Sequence, residues 1–132
     1  MSARPGVFRL RHAGPIAALW LAVLPSAQAQ LIEIRWSDTG AFAHQGQIAA
    51  GKFVEVCGKL PAGSQVQWDY EAGAPVDFNV HYHLGKDVVY PSQQSAALRG
   101  KDVLAVKIDQ DYCWMWTNKS TRATTLALRL HR

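Results

Sequence analysis

The sequence predicts an all-β domain, an antiparallel β-sandwich of about seven to eight short strands. Apolar and polar residues alternate with period two along Ser64–Tyr70, Val76–His83 and Thr124–Leu130, as in half-buried strands. No stretch of a dozen residues sustains the i, i+3, i+4 spacing of an amphipathic helix. Gly, Pro and Asn turn signals break the apolar runs at regular intervals, the punctuation of a sandwich.

Taken in order, residues 1–29 read as a secretory signal. Arg4, Arg9 and Arg11 supply a positive n-region, Ile16–Leu24 a short apolar core, and Ala27-Gln28-Ala29 a small-residue cleavage site that would leave Gln30 as the new N-terminus. The apolar core is shorter than the roughly 20 residues of a membrane span, and no span is expected after it. Three of the 14 Lys and Arg residues lie in this leader, which leaves 11 against all 10 Asp and Glu, a net charge of +1. The high isoelectric point thus belongs to the discarded segment, and a nucleic-acid partner loses its electrostatic basis. Residues 30–132 are expected to form one domain in the periplasm or outside the cell.

Leu31–Trp36 reads as a first strand, closed by the turn residues Ser37-Asp38-Thr39-Gly40. Ala41–Gly51 is ambiguous between loop and weak strand. Lys52–Cys57 is strongly β-prone, and Ser64–Tyr70 sets Val66, Trp68 and Tyr70 on one face. Glu71–Pro75 reads as a connector. Val76–His83 and Lys86–Tyr90 then form a strand and its return about Leu84-Gly85. Phe78, Val80 and Tyr82 make the core face, and Asn79, His81 and His83 the other.

Pro91–Gly100, polar and small, reads as a second connector. Lys101–Asp109 and Tyr112–Thr117 are strands, and Asn118-Lys119-Ser120 is turn chemistry. Thr124–Leu130 closes the chain with Leu126, Leu128 and Leu130 inward and Arg129 outward.

Two cysteines, Cys57 and Cys113, fall in the exported part. In an oxidising compartment they are expected to form one disulfide; the alternative is a pair of free thiols serving as metal ligands or redox groups. If the disulfide is internal, Cys113 and Met115 face the core and Trp114 and Trp116 face outward. The opposite arrangement, with both tryptophans in the core, is equally compatible with the alternation.

Several pieces resemble the GOLD domain, the β-sandwich of certain cargo receptors and lipid-transfer proteins. They are Phe53–Cys57, the Pro61–Trp68 approach to a strand, the Asp77–His83 unit, and Tyr112–Thr117 followed by Asn118-Lys119-Ser120. The resemblance implies a sandwich, a Cys57–Cys113 pairing and a non-enzymatic binding role. The coiled coil and C-terminal membrane helix of the cargo receptors have no counterpart here, so that role is not implied.

No Gly-x-Ser-x-Gly elbow, His-Glu-x-x-His helix or Gly-rich phosphate loop is present, so no enzyme is expected. The leading expectation is a binding module that recognises a protein or a small apolar ligand through an aromatic surface of Trp68, Tyr82, Trp114 and Trp116. The competing expectation is a copper or zinc protein. His81 and His83, two apart on a strand, place two imidazoles on one face, with Asp77, Asn79, Met115, His44 or His131 to complete the ligand set.

Overall fold

The computed structural model describes residues 29–132, so the expected leader, apart from Ala29, lies outside the described residues. Seven strands follow one another: β1 (Gln30–Glu33), β2 (Ala41–Ile48), β3 (Phe53–Leu60), β4 (Gln65–Leu84), β5 (Asp87–Ala105), β6 (Gln110–Thr117) and β7 (Thr124–His131). They run in the order β1-β3-β6-β4-β7-β2, with β5 along the other edge of β4. All pairings are antiparallel except β1 with β3. No helix among the described residues is long and apolar enough to cross a membrane.

The architecture turns on β4, which is 20 residues long, well beyond an ordinary strand. Its first half, Gln67–Ala72, pairs with β7, and its second half, Asp77–His81, pairs with β6. β5 follows both halves. Register breaks between Glu71 and Val76, Val76 and Phe78, and Val80 and Tyr82 bend the shared hairpin, as bulges do. One sheet therefore curls into two leaves, and the inner faces of the two halves of β4 meet. Phe78 lies 4.8 Å from Trp68 and 4.7 Å from Tyr70, centroid to centroid.

The segments Glu71–Pro75 and Pro91–Gly100, expected to be connectors, are instead strand. Their small and polar residues are weak β-formers, but pairing overrides local propensity: Pro91–Gly100 pairs with β4 across the hairpin, and Glu71 and Ala72 pair with β7. Within the second segment, Ala96 sits at φ 49°, a left-handed conformation costly for any residue with a Cβ. Asp77 Oδ1 accepts a hydrogen bond from the Ala96 N–H at 3.0 Å and pairs with Lys119. The hairpin reverses at Gly85-Lys86 between the paired Leu84 and Asp87. Gly85 has φ 62° and Lys86 does not share that sign, the pattern of a type II′ turn.

The core is as the alternation predicts for Phe78 and Val80 on β4 and for Leu126, Leu128 and Leu130 on β7, all buried, with Arg129 outside; Val66, Trp68, Tyr70, Leu104 and Val106 are buried with them. Gly100 is required because a Cβ there would lie 2.7 Å from Tyr70 Cε1. The Tyr70 hydroxyl donates to Gln94 Oε1 at 2.8 Å, and burial pushes its pKa up to about 12.

Asn118 ties the ends of the leaves together. It is fully buried, and its amide donates to the carbonyls of Ile48 (3.0 Å) and Arg122 (2.7 Å) while its oxygen accepts from the Ser120 N–H and Oγ–H. Asn118→Ala is expected to destabilise by about 2–3 kcal/mol, because buried carbonyls lose their donor with no water to replace it. Urea unfolding of the variant checks this; a loss under about 0.5 kcal/mol, the range of ordinary surface substitutions, would refute it.

Candidate functional site

Alternation along β3, β6 and β4 sends one set of side chains inward and the other to the outer face of the leaf. The inward set is Val54 and Val56, Tyr112, Trp114 and Trp116, then Phe78, Val80 and Tyr82. The arrangement with Trp114 and Trp116 outward is thus corrected: both are wholly buried. Trp116 packs 5.3 Å from Phe78 and 5.6 Å from Tyr70. Trp68 is also core, and Tyr82 is half-buried, its ring 4.9 Å from that of Tyr112. These four residues form no exposed aromatic surface. The physical reason is that two flat indoles fill the interleaf space better than Cys113 and Met115 would, so the disulfide takes the outer face.

On that outer face the register sets Cys57 opposite Cys113 and Cys113 opposite His81. The cysteines are joined in a disulfide and no cysteine is free. The next row holds Glu55, Met115 and Asn79. His81 is 6% exposed and has both ring nitrogens engaged. Its Nδ1 lies 2.8 Å from Asn79 Oδ1 and its Nε2 3.1 Å from Glu55 Oε1. Neutral His81 donates Nε2–H to Glu55 and accepts at Nδ1 from the Asn79 amide once that amide is turned; protonated His81 donates to both oxygens.

His83 stands edge-on to His81 at 5.4 Å, and Tyr90 of β5 lies 6.0 Å away. The hairpin tip carries the patch outward. Leu84 is 52%, Val88 38% and Tyr90 48% exposed, with His83 opposite Val88.

The predicted ligand residues sort unevenly. His81, His83, Asn79, Asp77 and Met115 do share a face. Asp77, however, is committed to Lys119 and the Ala96 N–H, and that pairing holds its carboxyl below the usual value. His44 and His131 lie on β2 and β7 of the other leaf. Glu55 and the disulfide sulfurs were missed as neighbours of His81. The signal was present: Glu55 is the lone acid in an apolar strand and two residues from Cys57, hence on its face.

Burial lowers the pKa of His81 below the ordinary imidazole value; Glu55 pulls it up, and His83 lowers it further. Burial also lowers His44, whose Nε2 has no partner. With folded values below the unfolded one, the unfolded chain binds more protons in the window below about pH 6.5. The stability these neutral histidines contribute is complete above that pH and declines as pH falls through their folded values. Thermal unfolding from pH 7.5 to 5 is expected to show a falling Tm, with a shallower slope in His81→Gln. An unchanged slope would show that His81 does not titrate differently on folding.

The outer face of the other leaf is a groove of about 920 Å3 along β4, β5 and β7. At its centre Arg129 Nη2 and Nε donate to Asp69 Oδ1 at 2.6 and 2.9 Å, with Glu71, Arg99 and Lys101 beside it. Its charges balance, Asp69, Glu71 and Asp102 against Arg99, Lys101 and Arg129.

No protein-family model matches the sequence, and no curated protein does. Solved structures do. The periplasmic inhibitor of g-type lysozyme from Aeromonas hydrophila (PliG) is similar with a TM-score of 0.55 at 14% identity, over 79% of this chain and 96% of that one. The pre-peptidase C-terminal domain of a Bacillus anthracis collagenase gives 0.57 at 11%, over 78% and 94%. The mitogen of Yersinia pseudotuberculosis gives 0.55 at 12%, over 69% and 84%. At such identities the likeness establishes a β-sandwich-like fold and no narrower family.

Proposed function

We propose that this protein is an exported, non-enzymatic binding module that engages a partner protein through the tip of its β4–β5 hairpin. The observation that carries this reading is the exposure of Val88 and Tyr90 together, beside His83, on one face of the two-stranded arm, with Leu84 exposed on its other face. Exposed apolar side chains grouped together mark protein contacts, and aromatic anchors dominate such contacts. The disulfide favours an oxidising compartment. The fold is compatible, since a periplasmic protein of similar architecture inhibits a lysozyme. A protein partner is favoured over a small apolar ligand because the groove along β4, β5 and β7 is open and carries the Asp69–Arg129 ion pair with Glu71, Arg99 and Lys101 along it.

The test is in-cell photocrosslinking from an unnatural residue at Lys86, in the wild type and in a Val88→Ser/Tyr90→Ser variant. A discrete crosslinked protein in the wild type, lost in the variant while thermal unfolding is unchanged, is the expected result. Equal crosslinking in both, or none in the wild type, overturns the hairpin reading.

A further inference from the structure

We propose that reducing the Cys57–Cys113 disulfide uncovers a zinc site formed by the two thiolates, His81 and Glu55. This inference is independent of the hairpin reading. A donor atom from each of Glu55, His81 and Cys113 lies within 4.8 Å of the others, and Cys57 Sγ is bonded to Cys113 Sγ. Tetrahedral zinc, with bonds of about 2.0–2.3 Å, separates its ligands by roughly 3.3–3.8 Å. Small side-chain movements suffice for those three, and Cys57 Sγ, outside that group, swings in about its own Cα–Cβ bond once the disulfide is cut.

Three features favour a site that survives reduction. The cysteines are cross-strand neighbours in an eight-residue antiparallel ladder, so backbone pairing keeps the thiols side by side once the bond is cut. His81 is already oriented. With Nε2 on the metal, its Nδ1–H donates to Asn79 Oδ1, the 2.8 Å contact observed, and such a support fixes the tautomer of a ligating histidine. Glu55 already meets His81 Nε2, so a cation placed between them replaces a proton. While the disulfide is intact its sulfurs are poor ligands, and two donors alone do not hold zinc.

The chemistry balances with a dithiol as reductant. The dithiol gives two electrons and two protons to the disulfide, leaving two thiols here and a disulfide on the donor. Zinc then displaces the two thiol protons to solvent. Two thiolates with an imidazole select zinc over magnesium or calcium, which prefer oxygen.

The experiment is anaerobic titration of the oxidised and phosphine-reduced chain with zinc against a chromophoric chelator, repeated with cobalt(II) as a spectroscopic probe. The reduced chain is expected to bind one zinc and to show thiolate-to-cobalt charge transfer with tetrahedral d–d bands. The oxidised chain should bind none. His81→Ala should weaken binding at least about tenfold and Asn79→Ala by about tenfold. Should the reduced chain unfold, zinc is expected to restore a cooperative transition in the wild type and not in Glu55→Ala/His81→Ala. Equal zinc binding in both redox states, cobalt spectra without thiolate bands, or a reduced chain that zinc neither binds nor refolds would overturn the proposal.

Discussion

Trp116→Ala is expected to lower stability by about 4 kcal/mol, within the 3–5 kcal/mol typical of emptying a buried tryptophan site, and to lower Tm by roughly 20 °C in a domain of this size. Trp116 is wholly enclosed and touches Tyr70 and Phe78, one from each half of β4. Its loss therefore loosens the contact between the leaves as well as opening a void. Trp116→Phe should cost far less than size alone suggests. The indole N–H of Trp116 is buried without a partner, and removing an unsatisfied donor returns about 1–3 kcal/mol of desolvation penalty. Urea unfolding of both variants checks the ordering. An alanine variant within 1 kcal/mol of wild type would contradict the burial described here and revive a surface role for this residue.

Cys57→Ser/Cys113→Ser is expected to cost about 4 kcal/mol. The bond closes a loop with a sequence separation of 56, and constraining the unfolded chain over that length stabilises by about this much in the chain-entropy model. Because the two residues also face each other in the β3–β6 ladder, the folded structure should be nearly unchanged. The signature is thus specific. The denaturation midpoint falls while the m-value rises, since the unlinked chain exposes more surface on unfolding. An m-value that falls instead would show that the native state itself has loosened.

These two sites also show how far local sequence reaches. Period-two alternation places Phe78, Val80, Tyr82, Leu126, Leu128 and Leu130 inside without any knowledge of neighbours, because apolar side chains at i, i+2 and i+4 share one face. The same rule puts His81, His83 and Asn79 together. It cannot say which face of Tyr112–Thr117 is inner, because that strand offers indoles on one side and a cystine and methionine on the other. The assignment depends on what faces it across the interior. Phe78 and Tyr70, brought there by the bend of β4, form the wall against which Trp116 fits.

The two connectors failed for a related reason. Glu71–Pro75 and Pro91–Gly100 lack β-formers, yet Pro91–Gly100 is paired to β4 across the hairpin and Glu71 and Ala72 to β7. The candidate site was half legible. His81 and its face could be read from the chain, whereas Glu55 and Cys113 reach it from two other strands through registers no single segment encodes.

By itself the sequence determined an all-β chain, the core faces of Val76–His83 and Thr124–Leu130, the expectation of a cystine between Cys57 and Cys113, and a common face for His81, His83 and Asn79. Those follow from periodicity, turn chemistry and compartment. Only the tertiary structure decided that the tryptophans are core and that His81 is clasped by Glu55 and Asn79. It alone left Leu84, Val88 and Tyr90 exposed. Each of these depends on which strand lies next to which, and strand neighbours are chosen by packing across the whole domain.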